Sequence, residues 1–193
     1  MPPKAKITQA DIIKAALTIV RSKGANMLNA RALATLLNCS TQPIFSNYNN
    51  MTELRNDVIR SAQEIYRSYI EKGMKDPSLP AYKGSGMAYI LFAKEETELF
   101  KLLFMRDRRG ENLDTNKDEI RDIIALLMQS HGFDEKSAYD FHMKMWIFVH
   151  GIATMIATNY VPWDKETISR MISEEYHSYL SYCKKQRNGG NQT

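Results

Sequence analysis

Residues 29–48 read NARALATLLNCSTQPIFSNY. Asn29 has the side chain of a helix N-cap, whose oxygen accepts from a first-turn N–H. Leu33, Ala34 and Leu37 then give the following helix one apolar face. Asn tolerates positive φ, so Asn38 and Cys39 predict a tight corner. Ser40 is placed to cap a second short helix, Ser40–Tyr48, in which Ile44 and Tyr48 lie four apart and point the same way. Pro43 falls in the first turn of that helix, where its missing N–H is not needed. The remaining positions, Thr41, Gln42, Ser46 and Asn47, are short and polar. Helix, three-to-four-residue turn, helix is the helix-turn-helix unit, whose second helix can lie in a DNA major groove. Ala34 supplies the small residue that close approach of the two helices requires.

Outward from this segment the chain reads as helix after helix. Thr8 and Asp11 have the capping-box form, and Ile7 and Ile12 stand where a hydrophobic staple forms. Ile12, Ile13, Ala16, Leu17, Ile19 and Val20 make a helical apolar stripe that Gly24 ends. Asn50 with Glu53 opens a long helix with Leu54, Val58, Ala62, Ile65 and Tyr69 inward, and Pro77 and Pro80 mark its exit. Further helices are expected over 81–94, 96–106, 117–131, 135–160 and 165–184, divided by turn-rich segments at 107–116, 132–134 and 161–164. The expected fold class is all-α. It comprises an amino-terminal three-helix domain over 1–50, a helical carboxy-terminal domain over 51–185 and a flexible tail over 186–193.

The 193 residues are 44% hydrophobic and 25% charged, which excludes a disordered or collagen-like chain. No apolar run approaches the ~20 residues of a membrane-spanning helix. The start, Met1-Pro-Pro-Lys-Ala-Lys, has no apolar stretch behind its charges, so no secretory signal is expected. Cys39 and Cys183 make neither a disulfide framework nor a zinc motif, and a cytoplasmic protein with reduced thiols is the default expectation. Charge is uneven. Residues 1–60 hold eight bases against three acids, whereas the remainder has a balance of −1, so an anionic partner is expected at the amino-terminal end.

Lys14-Ala-Ala-Leu, Lys23-Gly24, Asn29-Ala-Arg-Ala-Leu-Ala, Ser40-Thr-Gln-Pro-Ile-Phe-Ser-Asn-Tyr and Asn50-Met-Thr-Glu-Leu together resemble the tetracycline-repressor (TetR) family in order and spacing, over about the first 60 residues. The resemblance implies a homodimeric transcriptional regulator, commonly a ligand-responsive repressor, that binds double-stranded operator DNA. Its DNA-binding residues would be Asn29, Arg31, Ser40, Thr41, Gln42, Pro43, Phe45, Ser46, Asn47 and Met51. Of these, Thr41, Gln42 and Ser46 suit base edges, Gln being able to pair bidentately with adenine, and Pro43 suits a thymine methyl. Asn29 and the N–H groups near Met51 suit phosphates, and Lys4 and Lys6 suit a basic arm. The family usually has Tyr at Phe45 and Lys at Met51, and no Lys or Arg lies between Arg31 and Arg55, so fewer counterions would be released on binding.

The larger domain carries the residues that would sense an effector. Trp146-Ile-Phe-Val-His150-Gly151 resembles a Trp/His-Gly type of carboxy-terminal domain within the same family. Tyr89, Phe92, Phe104, Met105, Trp146 and His150 are the candidates for lining a pocket for a small apolar or amphipathic effector, although such residues also build ordinary cores. His142 and His150 are too far apart along a helix, about 12 Å, to share one metal ion. Met145, Ile152, Met155, Ile156, Ile168, Ile172, Tyr176 and Tyr179 are candidate seam residues of a four-helix dimer interface, or else part of the protomer's own core. A dimer would set two recognition helices about 34–36 Å apart, at successive major grooves.

No cofactor motif and no nucleophile elbow occurs. The alternative to a regulator is an all-helical di-metal enzyme using Glu174 and His177, a Glu-x-x-His pair on one helix. Such sites need two copies and two further glutamates, and a single copy is present. The sequence therefore predicts no catalytic residue and no metal site.

Overall fold

The computed structural model describes residues 7–109 and 116–189. Lys4, Lys6, most of the expected turn at 107–116 and the last four residues of the expected tail lie outside the described residues. Nine α-helices follow one another, with no strand among the described residues: α1 (Gln9–Lys23), α2 (Ala30–Leu36), α3 (Gln42–Asn47), α4 (Met51–Met74), α5 (Ala81–Glu95), α6 (Thr97–Phe104), α7 (Asn116–His131), α8 (Glu135–Ala157) and α9 (Lys165–Gly189). A 3₁₀ turn, Ala25–Met27, links α1 to α2. The fold is all-α, as expected.

Capping chemistry sets most of the helix starts. Thr8 accepts from the Asp11 amide at 3.2 Å while the Asp11 carboxylate accepts from the Thr8 amide at 2.9 Å. Donation from the Thr8 hydroxyl at 2.7 Å, and next from its amide, holds the Asp11 carboxyl below its ordinary range. Asn29 accepts from the Ala32 amide at 3.0 Å, Asn50 from the Glu53 amide at 3.0 Å, and Asp134 from the Ser137 amide at 2.7 Å. Helix α1 stops at Gly24, which takes φ +82°, and α8 stops three residues before the expected 160. There Asn159 takes φ +53° and the Tyr160 amide bonds back to the Met155 carbonyl at 2.9 Å. The last helix continues to Gly189, five residues past the expected 184.

The helices form two compact units, residues 1–68 with 95–107 and residues 69–94 with 108–193. In the first, Ile12, Ile19, Val20, Leu33, Ile44, Tyr48, Leu54, Val58, Leu99 and Phe100 are buried. Helix α6 joins this unit because Leu99, Phe100 and Leu103 are buried, and because Arg21 forks onto Glu96 with two bonds of 2.7 Å. In the second, Ile123, Ile124, Leu127, Phe133, Phe141, Met145 and Leu180 form one core, against which Tyr82, Tyr176 and Tyr179 pack. Phe141 lies at its centre, stacked on Tyr179 with centroids 5.1 Å apart and edge-on to Tyr176 at 5.5 Å.

Helices α4 and α5 meet in the second unit at Gly73 and Gly84, where a Cβ on either residue would press into the other's backbone carbonyl. The contact requires two residues without side chains. Gly84→Ala is expected to destabilise the protein by about 2–3 kcal/mol, the cost of overpacking against a backbone that cannot yield. Urea unfolding checks this, with Gly132→Ala as a control that has open space around its Cβ but strains a positive φ.

Candidate nucleic-acid interface

Helix α3 begins at Gln42, later than expected. Asn38 takes φ +50° and the Cys39 amide bonds back to the Ala34 carbonyl at 3.0 Å, so the turn extends through Ser40. Thr41 is the N-cap residue, and no side chain caps the helix. Pro43 lies within the first turn, as its chemistry requires. An open groove of about 420 Å³ runs beside this turn, lined by Arg31, Ala34, Thr35, Asn38, Cys39, Ser40 and Thr41.

The two faces of α3 are sharply different. Ile44 and Tyr48 are buried, and the Tyr48 hydroxyl donates to the Asp57 carboxylate of α4 at 3.2 Å. Burial and the Asp57 charge push the Tyr48 phenol up to about 12, so it remains a donor. Gln42, Phe45 and Ser46 are exposed, and Thr41 and Pro43 half-buried. Asn47 faces inward: its amide donates to the Pro43 carbonyl at 2.8 Å and to the Ile7 carbonyl at 3.3 Å, while Gln9 donates to the Asn47 carbonyl at 3.0 Å. Both ends of the Asn29 amide are likewise engaged, with Ala32 and the Met27 carbonyl. Arg31 is exposed, and Met51 opens α4, whose first-turn amides project from the helix end. No acid occurs from residue 12 to residue 52, a stretch that holds Lys14, Arg21, Lys23 and Arg31. Helix α3 and the turn before it thus carry no carboxylate of their own, and the helix is held from behind.

In the second unit, three of the pocket candidates come together. Trp146 stacks on His150 with centroids 4.9 Å apart, and the Tyr89 hydroxyl lies 2.9 Å from His150 Nδ1. Burial holds the His150 imidazole below its ordinary value. Phe92 is fully buried and meets Tyr69 edge-on at 5.4 Å. In the first unit, Phe104 meets Tyr66 at 5.2 Å and Phe100 at 5.3 Å, and Met105 is exposed.

Residues 83–175 match the carboxy-terminal domain of the Tetracyclin repressor-like kind. Over 185 residues the chain is 23% identical to an uncharacterized HTH-type transcriptional regulator, YobS, of Bacillus subtilis (strain 168), covering 94% of this chain and 95% of that protein. The carboxy-terminal half is thus similar to Tetracyclin repressor-like proteins, and nearly the whole chain to an HTH-type transcriptional regulator.

Most of the expected seam residues lie inside the protomer. Met145, Ile152, Ile168 and Ile172 are buried, Tyr176 and Tyr179 pack on Phe141, and Met155 and Ile156 are half-buried. Their periodicity marks the face of α8 and α9 that the chain covers with its own helices. The outward face of α8 instead carries Tyr139, Met143, Ile147 and Gly151, with Ile147 61% exposed and nothing within 4 Å of a Cβ built on Gly151. Ile147 falls out of phase with Met145 and Val149, and that offset was the signal available in the sequence. Glu174 is exposed and paired with Arg170 at 3.0 Å, and His177 is exposed with its ring edge-on to Tyr176. No group of three or more His, Cys, Asp or Glu suited to a metal ion occurs among the described residues. Nor is any described helix long and apolar enough to cross a membrane.

His142 is 8% exposed and its Nδ1 lies 3.2 Å from the Tyr82 hydroxyl. Burial holds its imidazole down to about 4, against about 6.5 in the unfolded chain. The unfolded chain therefore binds the proton more tightly, and stability that is complete above about pH 6.5 falls as pH drops, levelling off below about 4. This residue is expected to cost on the order of 3 kcal/mol across that window. Urea midpoints at about pH 7 and about pH 4.5 should differ less in His142→Phe than in the parent chain.

Proposed function

We propose that this chain is a TetR-family regulator that binds double-stranded operator DNA as a homodimer and acts as a repressor released by a small apolar or amphipathic effector. Residues 1–50 form the DNA-binding domain in this reading, and residues 51–185 bind the effector and dimerise. The observation that carries it is the face of α3: Gln42, Phe45 and Ser46 stand outward from a helix whose other side is buried, in a stretch without one carboxylate. A groove-reading helix needs those properties, because a mobile or acidic surface would lose binding energy to ordering or repulsion.

Thr41, Gln42 and Ser46 are assigned to base edges, and Arg31 with the first-turn amides of α2 and α4 to phosphates. Asn29 and Asn47 act from behind, the first by holding the start of α2 and the second by fixing α3 to Ile7. The effector is assigned to the surroundings of Tyr89, Trp146 and His150, where aromatic faces adjoin a polar ring nitrogen. An effector that favours the DNA-incompetent arrangement shifts the population there. A full reversal from 99:1 to 1:99 requires about 5.5 kcal/mol of differential affinity.

Two experiments test this. Chromosomal fragments retained by the protein supply the duplex, and Gln42→Ala is expected to lose about 1–3 kcal/mol of discrimination at one base pair while remaining dimeric. Unchanged discrimination among operator variants removes Gln42 from the interface. The outward face of α8 is assigned to the dimer seam, with Gly151 permitting close approach of the partner helix. Gly151→Trp should leave the protomer folded, because its Cβ meets open space, yet shift sedimentation from dimer to monomer.

A further inference from the structure

We propose that Phe45 reads the C5 methyl group of a thymine, so that part of the sequence preference of this chain is carried by an apolar contact. The inference rests on the DNA-binding reading and deepens it. Three observations lead to it. Phe45 is 48% exposed on a helix whose other large residues, Ile44 and Tyr48, are almost wholly buried, so its ring contributes little to the core that holds α3 in place. Its neighbours on the outward face are small or uncharged: Gln42 precedes it by three residues, and the Ser46 hydroxyl folds down to donate to the Gln42 carbonyl at 2.9 Å. Phe45 is consequently the tallest group between two polar ones. Finally, the stretch from residue 12 to residue 52 is free of acids, so α2, the turn and α3 set no carboxylate of their own against the phosphates of a groove.

A phenyl ring offers no hydrogen bond to a phosphate oxygen or to a base edge. The apolar feature that the major groove displays is the thymine methyl. A methyl withdrawn from water against an aromatic face gains about what burial of one carbon supplies, roughly a fourfold change in affinity. Pro43, the other apolar residue of the helix that is not fully buried, lies half-buried in its first turn and presents less surface.

The test begins with selection from a randomised duplex pool by the full-length protein. The recovered duplex is then resynthesised with uracil replacing each thymine in turn, which removes the methyl and leaves the hydrogen-bonding pattern intact. At one thymine, repeated in symmetric half-sites, uracil is expected to weaken binding about fourfold. Phe45→Ala, which folds because the ring is exposed, should bind the thymine and uracil duplexes alike, whereas Pro43→Ala should keep the penalty. The proposal is overturned if no uracil substitution matters, if Phe45→Ala keeps the penalty, or if Pro43→Ala alone erases it. Those results leave the DNA reading standing. Failure of the parent protein to enrich any sequence overturns that reading, and this inference with it.

Discussion

The six-residue helix α3 cannot stand alone. Nucleation fixes several residues for one hydrogen bond, and isolated helices shorter than about 12–15 residues are marginal in water. What holds α3 is therefore entirely tertiary. Ile44 and Tyr48 bury one face, Tyr48 donates to Asp57 in α4, and Asn47 is tied to Ile7 ahead of α1. Because no side chain caps the helix, these ties take the place of a local start signal. Every outward residue of α3 inherits its position from them. A reading surface must be rigid before contact if its hydrogen bonds are to discriminate between bases instead of adapting to each.

Nearly all of the helix framework was legible in the sequence, because each element carries its own boundary chemistry. Thr8 with Asp11, Asn29, Asn50 and Asp134 cap where their side-chain types say they should, and Gly24 and Asn38 take positive φ where a break was needed. Two readings moved. Ser40 looked like a cap, but the turn after α2 consumed it, since hydrogen bonds across a corner depend on how far the corner swings. Asn47 looked like an outward polar residue on the recognition face. It points inward because Ile7 and Gln9 come from a segment 38 to 40 residues away, a proximity no local pattern encodes.

The carboxy-terminal unit shows a second limit on what periodicity conveys. A stripe of Met145, Ile152, Ile168 and Ile172 states that a face is buried without stating by what. Here the chain's own helices bury it, and the face left outward is a sparser row, Tyr139, Met143, Ile147 and Gly151. The aromatic residues divided in the same way. Trp146, His150 and Tyr89 form one hydrogen-bonded and stacked group, whereas Phe92 is simply interior. Three of the four histidines pair with tyrosine hydroxyls, His142 with Tyr82, His150 with Tyr89 and His131 with Tyr176, which satisfies one polar nitrogen in each of three partly or wholly buried rings.

Packing, not chain order, decides the unit to which α6 belongs. The chain passes from one unit to the other after residues 68, 94 and 107, within α4 and on either side of α6. Helix α6 lies in the amino-terminal unit, with Glu96 forked onto Arg21 near the end of α1. The Arg21 side chain is 42% exposed and Glu96 15%, so the fork is a partly screened ion pair, worth about 1 kcal/mol or less by the measure of exposed pairs. A clamp of that size fixes the direction in which α6 meets α1. The burial of Leu99, Phe100 and Leu103 resists displacement more strongly, because moving them exposes apolar surface.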